Sequence, residues 1–218
     1  RIPERKKVRA VFFDIDGTLT DVQGRIPGRT VSALKYMSGR LPLYLSTALP
    51  MAHAKKRLGD VFDLFSGGVF ADGGFLCYED TVECVPVEHP VALDFPGCRI
   101  TRYTWKGEIF KYAVLAPTVR EATRLSAGLE GEAYQLYQEG RLLTVVDSRA
   151  GKKNGLMTLC SRLGISLREI LVVGNTMHDW PMMSVAGYSC AVMDAEEELK
   201  KLSGYILNPD SIPVFFDI

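Results

Sequence analysis

The sequence lacks the features that mark several broad classes of protein. No apolar run approaches the roughly 20 residues that a membrane-spanning helix needs, and none of the three asparagines stands in a glycosylation site. The five cysteines are odd in number and include no Cys-x-x-Cys pair, which argues against a disulfide framework or a thiolate zinc site. Basic and acidic residues number 26 each, so no global basic field draws the chain to nucleic acid or anionic lipid. We therefore expect a cytoplasmic protein whose partners include neither nucleic acid nor a membrane.

Several catalytic motifs are missing as well. The sequence has no Gly-x-x-x-x-Gly-Lys-Ser/Thr, no His-Glu-x-x-His, no Gly-x-Ser-x-Gly and no dinucleotide glycine fingerprint. Kinase, zinc protease and serine hydrolase functions therefore lack their required parts. What is present is a chain of 218 residues, 47% hydrophobic and 24% charged. That length and composition are typical of one globular core domain with a modest insertion.

Strands and helices alternate along the first third of the chain. Residues 8–13 form a compact β-branched and aromatic run, which predicts a strand buried on both faces of a parallel sheet. Further strands are predicted over 41–45 and 69–71, with helices after Thr30 and over 51–58. The alternation resumes from Lys152. It predicts an α/β fold with a doubly wound parallel sheet.

A strand-rich segment interrupts this pattern. From Gly73 onward, strands are predicted over 75–79, 81–87, 99–105 and 108–115, followed by a helix and another hairpin. We therefore expect a Rossmann-like core formed by residues 1–72 and 148–218, and a small α+β cap formed by residues 73–147. The basic residues of the cap alternate as a solvated face does and are assigned no role; they are Arg99, Arg102, Lys106 and Lys111.

Polar residues gather where the predicted core strands and helices begin or end. In an open α/β sheet, the ligand site lies beyond the carboxyl ends of the strands. Two carboxylates one residue apart can face one site there, with a hydroxyl and a lysine beside them. Such a set predicts a Mg²⁺ and phosphate site. The segments are Asp14-Ile15-Asp16-Gly17-Thr18, Ser46-Thr47, Lys152-Lys153, and Gly174-Asn175 with His178-Asp179.

These four segments, in this order, resemble the four motifs of the haloacid dehalogenase-like (HAD) superfamily of phosphohydrolases. The resemblance spans essentially the whole core, and its most specific part is Asp14-x-Asp16-Gly-Thr-Leu-Thr after an apolar strand. It implies an aspartyl-phosphate mechanism. Asp14 resembles the nucleophile, and Asp16 resembles the general acid that protonates the leaving alkoxide and then the base that activates water.

The resemblance also assigns the substrate and metal ligands. It places Thr47, Ala48 and Lys152 around the phosphoryl group, where Lys152 offsets negative charge. It implies a Mg²⁺ cofactor. The residues matching the family's metal ligands are Asp14, Asp16 through its backbone carbonyl, Asn175 and Asp179.

The position of the insertion narrows the resemblance to one branch. Thirty-three positions separate Asp14 from Thr47, whereas 105 separate Thr47 from Lys152. The cap therefore lies between the second and third motifs. This arrangement is similar to the C2-capped branch, which contains Cof-like sugar phosphatases, archaeal-type phosphoglycolate phosphatases, sucrose phosphatases and phosphomannomutases. It implies a small phosphomonoester substrate, either a sugar phosphate or a short acid such as phosphoglycolate.

The match departs from the family pattern at two motifs. The second motif usually continues Thr-Gly-Arg, but here it reads Thr47-Ala48-Leu49, and the fourth has Asn175 in place of an aspartate. An amide removes one negative charge and predicts weaker Mg²⁺ binding. Ser46 competes with Thr47 as the phosphate-binding hydroxyl, and Lys153 competes with Lys152, which keeps the better helical spacing.

Two other functions remain open at this point. One is a phosphomutase of the phosphomannomutase type, in which a sugar hydroxyl replaces water as the acceptor. The other is a degenerate domain that binds a ligand or partner without turnover, suggested by Ala48, Leu49 and Asn175.

Overall fold

The computed structural model describes residues 8–91 and 95–208 of the chain. The strands are β1 Ala10–Phe13, β2 Leu43–Ser46, β3 Gly67–Phe70, β4 Phe75–Tyr78, β5 Thr81–Cys84, β6 Arg99–Trp105, β7 Glu108–Leu115, β8 Tyr134–Glu139, β9 Leu142–Asp147, β10 Ile170–Gly174, β11 Tyr188–Val192 and β12 Tyr205–Leu207. The α-helices are α1 Gly28–Ser38, α2 Met51–Leu58, α3 Val119–Leu129, α4 Lys152–Leu163, α5 Trp180–Met183 and α6 Glu197–Leu202. Within the described part, no helix is both long enough and apolar enough to cross a membrane.

The larger sheet has eight strands in the order β12-β11-β10-β1-β2-β3-β4-β5. The first six are parallel to one another, and β4 and β5 are antiparallel additions at one edge. The chain leaves β1 toward β2 on one side and later returns to β10 on the other, which creates a topological switch point beside β1. This sheet with its crossover helices confirms the predicted doubly wound α/β core.

The apolar run that predicts β1 lies at the centre of this sheet because both of its faces are covered. Ala10 to Phe13 are all buried, and Phe12 stacks on Tyr44 of the neighbouring strand with ring centroids 5.0 Å apart. Burial on both faces explains why the run is continuously apolar instead of alternating.

The smaller sheet is antiparallel, with the order β6-β7-β9-β8. Helix α3 covers one face of it and begins at Thr118, whose side chain accepts a hydrogen bond from the Glu121 amide. A separate apolar cluster lies between them; its buried members include Tyr112, Val114, Ala122, Leu125, Leu143 and Val145. We refer to β6–β9 with α3 as the cap. Its presence confirms the predicted α+β insertion.

The structure differs from the sequence interpretation where the insertion begins. The sequence pattern predicts β4 and β5 within the cap, but both strands belong to the larger sheet. The turn Ala71–Gly73 reverses the chain so that Phe75 pairs with Phe70, and the new pattern from Gly73 marks a change from parallel to antiparallel pairing. The boundary between core and cap at residue 73 stays a prediction. We propose instead that the cap starts after Cys84. Strand β12, three residues long, is not among the strands predicted from the sequence.

Aromatic side chains join the β6–β7 hairpin of the cap to the core. Phe75 of β4 lies 5.5 Å from Trp105 and 5.3 Å from Phe110, measured between ring centroids. Tyr103 contacts both Phe110 and His53 of α2, at 6.4 and 6.0 Å. The cap is thereby docked along the antiparallel edge of the larger sheet.

Two helical glycines give opposite predictions for the same substitution. A Cβ at Gly155 of α4 would lie 2.5 Å from Val69 Cγ1, whereas a Cβ at the exposed Gly128 of α3 meets nothing within 4 Å. We expect Gly155→Ala to lower the free energy of unfolding by about 1–3 kcal/mol because of overpacking. Gly128→Ala should raise it by up to about 1 kcal/mol, since alanine favours helix. Urea unfolding of both variants tests this, and equal effects would contradict the close packing of α4 on β3.

Candidate active site

Three neighbouring parallel strands deliver three of the predicted motifs to one place. Strand β1 pairs with both β2 and β10, and Phe13 is in register with Leu45 and Val173. Asp14 therefore emerges level with the ends of both neighbours, and its amide donates to the Val173 carbonyl at 3.0 Å. Thr47 follows β2 and Asn175 follows β10. The aligned strand ends explain why residues distant in sequence meet.

Lys152 connects the third motif to the first and fourth. It is the first residue of α4, and its Nζ lies 2.8 Å from Asp14 Oδ1 and 2.8 Å from Asp179 Oδ1. The three side chains are at most 10% exposed. Lys153 is exposed instead. Of the two lysines that the sequence offered, Lys152 is the one at the site.

Burial dominates the electrostatics of this group. Desolvation raises the pKa of Asp14 to about 6; the Lys152 ammonium acts in the opposite direction, and the Asp179 carboxylate adds to the increase. Burial disfavours the charged form of Lys152, but the two carboxylates together raise its pKa above the ordinary value. At neutral pH Asp14 is therefore ionised beside the Lys152 ammonium and able to act as a nucleophile.

Asp179 is fixed by the loop that precedes it. Its Oδ2 accepts the amide of Asn175 at 2.9 Å and that of Thr176 at 3.3 Å. The carboxylate folds so closely over Gly174 that a Cβ there would lie 2.6 Å from Asp179 Cβ. Glycine is therefore required at position 174.

The first and fourth motifs share a hydroxyl. Thr18 Oγ1 lies 3.2 Å from Asp14 Oδ2 and 3.2 Å from Asn175 Oδ1. A hydroxyl has one proton and cannot donate to both oxygens at once, so two acceptor oxygens converge here on a single donor. Gly17 permits this approach: its φ is +81°, and a Cβ would lie 2.2 Å from Asn175 Nδ2.

The residues at this point fit a magnesium ion by their chemistry. The oxygens that the resemblance predicts as ligands are the carboxylates of Asp14 and Asp179, the amide oxygen of Asn175 and the backbone carbonyl of Asp16, all hard oxygen donors of the kind Mg²⁺ prefers. Within residues 8–91 and 95–208, no group of three or more His, Cys, Asp or Glu side chains could hold a metal. The predicted set includes one amide and one backbone carbonyl beside its two carboxylates.

Thr47 presents a hydroxyl whose proton is available. Its side chain is buried, and its Oγ1 accepts the Leu49 amide at 3.1 Å. Because the oxygen acts as an acceptor in this turn, its proton is left to donate to a ligand. Ser46 lies inside β2, fully buried, and its Oγ has no hydrogen-bond partner among the described residues. Ala48 is exposed, and its carbonyl accepts a hydrogen bond from the cap.

Asp16 lies apart from the buried group. Its side chain is 49% exposed and forms an ion pair with Arg57 of α2, with Nη1 and Oδ1 2.5 Å apart. The structure thus brings Asp14, Lys152, Asp179 and Asn175 together and leaves the Asp16 carboxylate at the rim.

The cap contributes residues to this region that the sequence interpretation missed. Lys111 of β7 was interpreted as part of a solvated face, which is wrong: its side chain is 7% exposed and its Nζ lies 3.1 Å from Asp72 Oδ2. The available signal was a single charge within the apolar run 109–115. Tyr137 of β8 faces His178 of the fourth-motif loop, with ring centroids 6.4 Å apart. Burial raises its pKa, so its hydroxyl stays protonated, and it donates to Gln135 Oε1 at 2.8 Å.

Comparisons with known proteins agree with this arrangement. A family model described as haloacid dehalogenase-like hydrolase matches residues 110–211. A phosphoglycolate phosphatase of Archaeoglobus fulgidus is 30% identical over 213 residues, covering 94% of this chain and 92% of that protein. One from Methanobrevibacter smithii is 26% identical over 217 residues, covering 91% and 92%. Both alignments extend over nearly all of this chain, beyond the part that the family model matches.

Solved structures resemble the fold over nearly its whole length. A haloacid dehalogenase-like hydrolase from Bacteroides thetaiotaomicron superposes with a TM-score of 0.78 at 19% identity, covering 96% of this chain and 97% of that one. A sugar phosphatase of HAD subclass IIB superposes with a TM-score of 0.74 at 18% identity, covering 93% and 94%. Core and cap are both included in these superpositions.

The buried charges give a pH-dependent prediction for Lys152→Met. Removing the ammonium leaves two buried carboxylates unpaired, so the metal-free variant should lose about 3–5 kcal/mol of unfolding free energy at pH 7. The pKa of Asp14, about 6 with Lys152 present, rises further without it. In the folded variant Asp14 therefore keeps a proton that it loses in the unfolded chain at any pH above about 4. The free energy of unfolding then rises as the pH falls, so part of the loss should be recovered at pH 5.

Urea unfolding in EDTA at both pH values measures this difference. Lys153→Met, which removes the exposed neighbouring charge, is the matched control and should change stability by less than about 0.5 kcal/mol. An equal loss for Lys152→Met at pH 7 and pH 5 would contradict the assigned charge arrangement.

Proposed function

The chain belongs to the haloacid dehalogenase-like hydrolases of the C2-capped branch and is a phosphatase, and from this premise we propose that it hydrolyses a small phosphomonoester through a phosphorylated Asp14. The observation that carries the proposal is the buried contact of Lys152 with both Asp14 and Asp179, each at 2.8 Å. A phosphomonoester dianion repels a carboxylate nucleophile, so attack requires cations close to both groups. Lys152 supplies one such cation.

The reaction proceeds in two steps that share the same groups. In the first, a carboxylate oxygen of Asp14 attacks phosphorus, the bond to the leaving oxygen breaks, and Asp16 donates a proton to that oxygen. In the second, Asp16 takes a proton from water, which attacks the phosphorus and releases phosphate and the Asp14 carboxylate. Asp16 lies at the exposed rim and pairs with Arg57. This position suits a group that must meet both the leaving oxygen and solvent water.

Thr47 and Lys152 bind the phosphoryl oxygens in this proposal. The Thr47 hydroxyl has its acceptor side occupied by the Leu49 amide and can donate its proton to the substrate. Ala48 supplies exposed backbone beside it. Lys152 remains charged throughout, because two carboxylates raise its pKa.

Magnesium is the proposed cofactor. Asp14, Asn175, Asp179 and the carbonyl of Asp16 would hold the ion, which when bound neutralises charge on the phosphoryl group and on the nucleophile. Since Asn175 stands where the family usually has a carboxylate, we expect the ion to be bound more weakly than by a set with three carboxylates.

The cap supports the proposal of a small substrate. Lys111 and Tyr137 come from the cap to the second- and fourth-motif loops. A closed cap excludes water and leaves room for a small leaving group. A phosphorylated sugar or a short acid of the phosphoglycolate type fits this description, and the relatives named phosphoglycolate phosphatases favour the second.

The test is phosphate release from a panel of small phosphomonoesters with Mg²⁺ or with EDTA. We expect turnover only with the metal, and Asp14→Asn, which keeps the shape but removes the nucleophile, should lower kcat by at least about 10³-fold. Asp16→Asn should lower it by about 10²–10⁴-fold, the usual contribution of general acid–base catalysis. No phosphate release by the folded wild-type protein would contradict the proposal. Transfer to a second sugar hydroxyl instead of water would indicate a mutase.

Restoring the family carboxylate should strengthen metal binding. Asn175→Asp adds a negative charge without changing the shape of the side chain, so we expect the dissociation constant for Mg²⁺ to fall about tenfold. Isothermal titration calorimetry with MgCl₂ measures it without reference to turnover. Asn154→Asp, which adds a negative charge in the first turn of α4 at a residue outside the proposed ligand set, is the control. A Kd unchanged in Asn175→Asp would exclude residue 175 from the ligand set.

A further inference from the structure

The Ala71–Gly73 turn after β3 links the cap to the second motif through a closed set of hydrogen bonds. Asp72 lies in this turn with φ +53°, in the left-handed region, and its side chain is 5% exposed. Its amide donates to the Thr47 carbonyl at 3.2 Å, and its carboxylate accepts Lys111 Nζ at 3.1 Å. A charged residue this buried and in this conformation is uncommon, and both features are maintained by the contacts around it.

Lys111 makes a second bond, to the peptide that follows Thr47. Its Nζ donates to the Ala48 carbonyl at 2.7 Å. The other end of that peptide, the Leu49 amide, donates to Thr47 Oγ1 at 3.1 Å. One peptide is thus held by a cap lysine at its carbonyl and by the phosphate-binding hydroxyl at its amide.

These contacts form a ring that starts and ends at Thr47. It runs from Thr47 Oγ1 through the Ala48–Leu49 peptide to Lys111, then to Asp72 and back to the Thr47 carbonyl. Lys111 is the only member that comes from the cap. The Asp72 carbonyl also accepts the amide of Gly151, the residue before Lys152, at 2.7 Å.

We propose that Lys111 is a positioning residue: docking of the cap places its ammonium on the Ala48 carbonyl and on Asp72, and this orients the Thr47 hydroxyl for the phosphoryl group. The inference rests on the proposed role of Thr47. It gives the cap a part in catalysis for every substrate, besides selecting among them. Without the ammonium, the Ala48–Leu49 peptide loses its partner at the carbonyl, and Asp72 becomes a buried, unpaired charge that disturbs the turn under Thr47.

A different role for Lys111 would be direct recognition of an anionic substrate group. The two roles predict different kinetics. A positioning residue affects the bonds to the transferring phosphoryl group and so lowers kcat for all substrates, whereas a residue that binds the leaving group raises KM only for substrates that carry the recognised charge.

The experiment compares Lys111→Met with wild-type protein on p-nitrophenyl phosphate and on phosphoglycolate. We expect kcat to fall about 10- to 100-fold on both, with KM changed less than about threefold, the size of effect seen for residues that orient catalytic groups. Lys111→Arg, which keeps a cation, should recover part of the loss. Lys106→Met, an exposed lysine of the same hairpin, should behave as wild type. A loss confined to phosphoglycolate, or seen in KM alone, would overturn the proposal.

Two further measurements separate this proposal from instability and from failure of the proposed function. The double variant Lys111→Met with Asp72→Asn removes both buried charges, so it should fold stably and still show the low kcat; full activity in it would overturn the proposal. Amide hydrogen exchange at Leu49 and Asp72 should accelerate at least about tenfold in Lys111→Met. Unchanged exchange would overturn the hydrogen-bonded ring, and this test does not depend on activity. If the wild-type protein released no phosphate, that result by itself would contradict only the proposed function.

Discussion

The contact of one buried ammonium with two carboxylates determines how the rest of the site is arranged. Lys152 lies 2.8 Å from both Asp14 and Asp179, and none of the three side chains is more than 10% exposed. Two carboxylates this deep in the molecule are costly to bury without a cation, and the cation is equally costly without them. The backbone therefore has to bring the end of β1, the start of α4 and the loop after β10 to a single point. The three glycines around it, Gly17, Gly151 and Gly174, occupy positions where a side chain would collide with a neighbouring residue.

The fold meets this requirement through strand order. Because β1 lies between β2 and β10, the residues that follow these strands share one edge of the sheet. Site residues that are more than a hundred positions apart in the sequence are therefore aligned by two strand registers, β1 with β2 and β1 with β10. The cap contributes Lys111, whose Nζ donates to a carbonyl of the loop that carries Thr47.

The core and the motif residues could be predicted from the sequence because their signals are local. Asp14 follows a short apolar run rich in β-branched and aromatic residues, which favours a buried strand, and Lys152 stands at a recognisable helix start. The placement of β4 and β5 could not be predicted, since their alternation fits either sheet and the outcome depends on a turn with two residues, Ala71 and Asp72, in the left-handed region. The burial of Lys111 is marked in the sequence only by its place within an apolar run, and the pairing of Asp16 with Arg57 depends on a long-range contact that the sequence pattern does not show. Their positions are explained only by charged partners that are distant in the sequence.

The aromatic contact between cap and core also has a thermodynamic meaning. The β6–β7 hairpin belongs to the cap by its hydrogen bonds, yet Phe110 on that hairpin is a member of the apolar cluster of the core. Unfolding the cap would therefore expose Phe75 and its neighbours to water, as well as the cap's own apolar cluster. The two sheets are coupled in stability by this shared surface, and cap and core should melt as one cooperative unit instead of as two independent domains.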